Sequence, residues 1–121
     1  MGVILDHTIV AARDPDATAA FWAEVIGLEF AGKQGHFTVL RAGPTSIDLM
    51  QSDDEISSRH FAFRIDEAEF DRVIGEIRRR GIPHWADPGR TRPNEINHRH
   101  GGRGVYFTDP NGHFLEVLTE P

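Results

Sequence analysis

The chain has 121 residues, 39% hydrophobic and 26% charged, which fits one soluble globular domain able to bury its own core. Its formal net charge of -6 argues against binding through nucleic-acid phosphates, which needs a basic surface. It has no cysteine, so disulfides and thiolate metal sites are excluded and any metal is held by nitrogen and oxygen ligands.

No apolar run approaches the ~20 residues of a membrane span, and the N-terminus lacks a signal-peptide pattern. The expectation is a cytoplasmic protein with no membrane partner. Val3 to Ala11 alternates and is rich in β-branched residues, which predicts a strand. In Asp14-Pro15-Asp16, Asp14 can cap a helix and Pro15 suits its first position. Ala17, Phe21 and Val25 then recur at helical spacing, and Gly27 ends the helix. Leu28 to Lys33, His36 to Arg41 and Ser46 to Gln51 read as three strands, punctuated by Gly35 and Gly43-Pro44.

The order then recurs. Arg59 to Ile65 reads as a strand, and Asp66 with Glu69 as a capping-box-like start. Phe70, Val73, Ile74 and Ile77 form one helical face. Arg78-Arg79-Arg80 answers the dipole at the helix end, and Gly81 stops it. Strands follow near His84, at Gly104 to Thr108 and at His113 to Leu118, the last two joined by a turn at Pro110-Asn111-Gly112. The expectation is a single α+β domain over residues 1–121, built from two βαβββ modules, roughly 1–54 and 55–121. Gly43 to Leu49 can be laid on Asn111 to Val117, which sets Asp48 opposite Glu116, while the two opening strands set His7 opposite His60.

Strand alternation gives each polar residue a direction. Phe61, Phe63 and Ile65 share the face that packs on the second helix, leaving His60, Ala62 and Arg64 on the other. Glu116 opposes Leu115 and Val117, and Asp48 opposes Ile47 and Leu49. Two such sheets facing each other line a cavity with His7, Asp48, His60 and Glu116. Imidazoles and carboxylates buried together are costly unless paired or metal-bound. Two histidines and a carboxylate with open positions are the arrangement that non-haem Fe(II) uses, and it also suits Mn(II), Ni(II) or Zn(II). His7, His60 and Glu116 are the expected ligands. Asp48 is read as a fourth ligand, a hydrogen-bond partner of a ligating histidine, or an exposed strand acid.

Trp85 to Arg103 is long for a connection without structure of its own, and such loops are often functional lids. Its His98 and His100 can act as general acid/base, since histidine titrates near neutral pH. Tyr106, at the loop's exit, can donate to an oxyanion or fill the core.

Leu5 to Val10, Phe21 to Leu28, His60 to Phe63 and Phe107 to Glu116 resemble the vicinal oxygen chelate superfamily of glyoxalases, bleomycin-resistance proteins and extradiol dioxygenases. The likeness spans nearly the whole chain. It implies paired curved mixed sheets forming a cleft, metal ligands at His7, His60 and Glu116, a small-molecule substrate and a homodimer. Ile96-Asn97-His98, followed after six residues by Val105 to Glu116, is similar to the signature of type I extradiol dioxygenases. That similarity implies His98 as acid/base, Tyr106 as helper and Glu116 as ligand. His7, Asp48, His60 and Glu116 together resemble the set of glyoxalase I-like lyases, with glutamate the commoner residue at the Asp48 position. The three-ligand set resembles fosfomycin-resistance thiol transferases, for which Arg64, Arg90, Arg92, Arg99 and Arg103 can supply cations. The leading expectation is an Fe(II)-dependent, extradiol-type dioxygenase acting on a substrate with two neighbouring oxygens. The alternatives are glyoxalase-like isomerisation or thiol transfer, and a metal-free drug-binding protein of the bleomycin-resistance kind.

Overall fold

In a computed structural model, which describes residues 2–121, the first strand β1 spans His7–Ala12 and starts four residues later than the alternation predicts. The ladder reaches back only to Asp6, whose carbonyl accepts from Ser46 N at 2.8 Å. Val3, Ile4 and Leu5 are exposed. Strand propensity expresses packing on a half-buried surface, and these three residues have none to pack on.

Helix α1 (Pro15–Phe21) opens as expected, with Asp14 Oδ1 accepting from Ala17 N at 3.1 Å and Pro15 in its first turn. It runs on as a wider π-type turn, Trp22–Ile26, and Gly27 closes it at φ 106° with its N–H on the Trp22 carbonyl. The buried face is Thr18, Ala19, Trp22, Val25 and Ile26, not the predicted Ala17–Phe21–Val25 line. Ala17 is exposed and Phe21 half-buried, whereas Trp22 has no exposed surface. The π-type turn adds a residue per turn, which rotates the face the even spacing assumed. Strands β2 (Glu29–Gln34), β3 (Phe37–Ala42) and β4 (Thr45–Gln51) follow. The sheet order is β1-β4-β3-β2, with β1 parallel to β4 and the other pairs antiparallel.

The chain divides between Ser57 and Ser58, and the second compact unit repeats the first. It contains β5 (His60–Arg64), α2 (Glu67–Arg79), β6 (His84–Trp85), β7 (Gly104–Thr108) and β8 (Phe114–Leu118), in sheet order β5-β8-β7-β6 with β5 parallel to β8. Asp66 caps α2 by accepting from Glu69 N at 2.7 Å, and Phe70, Val73, Ile74 and Ile77 are its buried face, as the periodicity predicts. The registers of the two sheets correspond. His7 pairs with Ser46 and Ile9 with Asp48; His60 pairs with Phe114 and Ala62 with Glu116.

At the end of α2, Glu76 accepts from Arg79 at 2.9 and 3.0 Å and from Arg80 at 2.7 Å. The Arg79 hydrogen bond, then that of Arg80, pulls the Glu76 carboxyl down from its ordinary 4.5 to about 2. Stability from a depressed carboxylate is present above pH 4.5 and is lost as pH falls through about 2. Glu76→Gln should therefore flatten the acid limb of the unfolding midpoint over that window. An unchanged limb would show that the cluster is screened away by solvent.

The last turn is organised by Asp109, which is 6% exposed. Its carboxylate accepts from Asn111 N, Asn111 Nδ2 and His113 N at 2.8 to 3.0 Å. The Asp109-Pro110-Asn111-Gly112 segment thus acts as a turn clamp that delivers β8 in register.

The Trp85–Arg103 connection is not structureless. Trp85 bridges Pro93, Asn97 bridges Gly104, and Arg99–Gly101 forms a 3-10 turn. Asn97 is buried and donates from Nδ2 to the Ala86 carbonyl at 2.8 Å. A Cβ on Gly104 would stand 2.9 Å from Asn97 Oδ1, so glycine permits this closure. The non-glycine residues with left-handed backbone, Arg90, Asn94 and His100, all lie in this loop.

Candidate metal centre

The register of the second sheet sets Ala62, Glu116, Tyr106 and Trp85 side by side across its four strands. Leu115 and Val117 are fully buried on the opposite face, so alternation leaves Phe114, Glu116 and Leu118 on this partly open one. His60 opens β5 next to Phe114. Its Nδ1 lies 2.9 Å from the Phe114 carbonyl and its Nε2 lies 3.2 Å from Glu116 Oε1. The side chains are 48% and 16% exposed, so this is an accessible pair with one shielded member.

A carbonyl only accepts, so Nδ1 carries a proton and donates it. A neutral His60 then turns the Nε2 lone pair toward a carboxylate oxygen. That approach is favourable only with a proton or a cation between the two atoms. Nitrogen and oxygen ligands sit about 2.0–2.2 Å from a zinc-sized ion, and a pair 3.2 Å apart is close enough to share one. The backbone bond that fixes the tautomer is the support metal-ligating histidines usually have. His60 Nε2 and Glu116 Oε1 are two donors of the kind a divalent metal takes.

Tyr106 is 5% exposed, and Arg99 Nη1 donates to its hydroxyl oxygen at 3.2 Å. Burial, and then the Glu116 charge, push the Tyr106 phenol above its ordinary value, against the opposing pull of Arg99. At neutral pH the group is therefore a protonated donor. Aromatic rings continue from it. Tyr106 stacks on Phe114 at 5.5 Å between centroids, Phe114 lies 5.7 Å from His60, and Trp85 lies 6.5 Å from Phe114.

In the first unit, Asp6 Oδ2 lies 2.8 Å from His7 Nδ1, and that hydrogen bond, followed by the Asp6 charge, holds the imidazole above its ordinary value. This leaves Nε2 as the ring's free nitrogen. Asp48 is half-buried and accepts from Ser46 Oγ at 2.6 Å. Among the described residues, no three histidine, aspartate or glutamate side chains gather as a ligand set.

His60, Glu116 and Tyr106 are thus brought together. His98 and His100 are exposed on the loop, and the residue between them, Arg99, is the one that reaches Tyr106. Sequence reasoning missed Asp6, the contact of Arg99 with Tyr106, and the aromatic role of Phe114 and Trp85. Alternation already put Phe114 on the Glu116 face, which was the available signal; nothing local marked Asp6.

The family described as the Glyoxalase/Bleomycin resistance protein/Dioxygenase superfamily matches residues 4–117. The chain belongs to that superfamily. Among solved structures, "Oxidase ChaP-H2" superposes with a TM-score of 0.96 at 48% identity, covering 100% of this chain and 96% of that one. "Oxidase ChaP-H1" gives 0.94 at 49% identity, covering 99% and 98%. "Metallothiol transferase FosB" of Shouchella clausii (strain KSM-K16) is 29% identical over 95% of this chain and 79% of its own. "Glutathione transferase FosA" of Serratia marcescens is 24% identical over 93% and 78%. No helix among the described residues is long and apolar enough to cross a membrane.

Proposed function

We infer that the chain is a metal-dependent oxygenase of this superfamily, acting on a small aromatic substrate that presents two neighbouring oxygens. The observation that carries the reading is His60 Nε2 facing Glu116 Oε1 at 3.2 Å, with its other nitrogen tied to backbone, beside a continuous aromatic wall. The likeness to two oxidases at 48% and 49% identity supports oxidative chemistry over the alternatives. His60 and Glu116 would hold the ion, Fe(II) by preference, with His7 a further candidate ligand and Mn(II), Ni(II) or Zn(II) as the other candidate ions. Asp48, already engaged by Ser46, is assigned a supporting place rather than a ligand's.

When bound, the ion supplies Lewis acidity and, as iron, one-electron redox capacity. The chain's own groups do the rest. Phe114 and Trp85, both half-buried, offer the substrate ring an aromatic face. Tyr106 donates its hydroxyl proton toward an ionised substrate oxygen, and Arg99 holds that hydroxyl in place. His98 and His100, exposed on the loop, are the candidate acid/base residues. Residues 1–121 act as one domain, in a cytoplasmic homodimer, with His7 provided from the same chain or from its partner copy.

The test is oxygen uptake by the Fe(II)-loaded protein across a panel of catechols and hydroxynaphthoquinones. Uptake that disappears in Glu116→Ala is expected. No uptake from a protein shown to hold iron removes the oxygenase reading. Thiol transfer is the second reading, because the FosA and FosB relatives are named as transferases; Mn(II)-dependent consumption of glutathione with fosfomycin would establish it. Metal below about a tenth of an equivalent after reconstitution would instead favour a metal-free binder.

A further inference from the structure

We propose that Arg90 is the anchor for an anionic group, carboxylate in class, on a planar aromatic ligand lying beside the half-buried rings of Phe114 and Trp85. The proposal deepens the aromatic-substrate reading but needs no metal. Arg90 has left-handed backbone, φ 59°, a region that side-chain-bearing residues rarely adopt. The turn that holds it is built for the purpose. The Asp87 carboxylate accepts from Thr91 N, Thr91 Oγ1 and Arg92 N at 2.7 to 3.2 Å, and Arg90 N donates to the Asp87 carbonyl at 3.2 Å. Strain sustained by its surroundings is a pointer to function.

The side chain is placed as deliberately. The guanidinium carbon lies 4.6 Å from the Phe114 ring centroid and 4.9 Å from that of Trp85. Neighbouring arginines are spoken for. Arg92 pairs with Glu95 at 3.0 Å, Arg103 with Glu67 and Asp71 at 2.8 Å, and Arg99 bonds Tyr106. Arg90 has no carboxylate partner among the described residues. In a chain of net charge -6, an unpaired cation within 5 Å of two ring centroids is a local feature and not part of a basic field. Contact with a ring leaves a guanidinium with N–H groups for other partners, and its planar fork can grip a carboxylate bidentately. Phe114 and Trp85 are only half-buried, so a flat ligand that reaches these rings meets the cation beside them.

The test is calorimetric titration of the full chain with 2-naphthoate and with its neutral counterpart 2-naphthamide, as purified and after dialysis against chelator. Naphthoate should bind on the order of tenfold tighter in both preparations, since a charge-assisted bidentate contact is about twice as strong as a neutral one. Arg90→Gly should abolish the preference; glycine accepts this φ without strain, so any fall in the thermal midpoint reports only the lost contacts with Trp85 and Phe114. Arg90→Lys should restore only part of it, lacking the planar fork. Equal binding of the two ligands by the wild type, no binding of either, or a preference retained in Arg90→Gly would each overturn the proposal. So would a preference seen only with metal present, which assigns the carboxylate to the ion. None of these results touches the metal reading, which is judged by metal affinity.

Discussion

Glu116→Ala should lower the affinity for a divalent metal by more than about 100-fold while moving metal-free stability by less than about 1 kcal/mol. The first figure follows because loss of a supporting residue around a metal ligand already costs 10–100-fold, and Glu116 is placed as a ligand itself. Its removal also takes away the anion beside His60 Nε2, 3.2 Å away, leaving a lone neutral imidazole. The second figure follows because the His60 side chain is 48% exposed, and ion pairs in that setting contribute about 0.2–1 kcal/mol. The separation between the two effects is the signature. A structural ion pair loses stability without a metal phenotype; a ligand pair does the reverse. Competition with a chromophoric chelator and a urea unfolding curve measure both quantities on one sample. Unchanged metal affinity in Glu116→Ala removes this centre. His7→Ala should follow the same course. If it binds metal like the wild type while Glu116→Ala does not, His7 leaves the set and the His60–Glu116 pair stands.

Trp22→Ala should cost about 3–5 kcal/mol, the range for truncating a fully buried large aromatic, whereas Phe21→Ala should cost under about 2 kcal/mol, in keeping with partial burial. Trp22 has no exposed surface and Phe21 is half-buried, although helical spacing from Ala17 to Val25 selects Phe21. The ordering therefore tests the π-type turn at Trp22–Ile26 directly. Urea unfolding read by circular dichroism avoids confusion from losing a fluorophore. A Phe21 variant as damaging as the Trp22 variant would restore the regular helix and contradict the observed face.

The amino-acid pattern alone carries the architecture a long way. Period-two alternation separates Leu115 and Val117 from Glu116, and Ile47 and Leu49 from Asp48, and the observed burial follows it. The Asp14-Pro15 and Asp66–Glu69 caps act where the residues announce them, because capping is a local bond within four residues. The repeat, which set Asp48 opposite Glu116, recurs in the strand registers.

Where the reading slipped, the deciding interaction was not local. Val3 to Leu5 have strand-forming side chains but no partner surface, and only the sheet edge reveals that. The extra residue in the α1 turn depends on how Trp22 packs, which spacing cannot express. The loop from Trp85 to Arg103 shows this most clearly. Its composition suggested a functional lid with His98 and His100 as the actors, yet the turns at Arg90 and Arg99 put guanidinium groups against Phe114 and Tyr106. Sequence by itself determined two sheets, their faces and the candidate ligands His7, Asp48, His60 and Glu116, because those depend on short-range periodicity and on a repeat. Which side chains stand beside those ligands was decided by tertiary structure alone. Left-handed turns and Asp87's hydrogen bonds aim a loop residue at a strand far from it along the chain, and no short-range pattern encodes that direction.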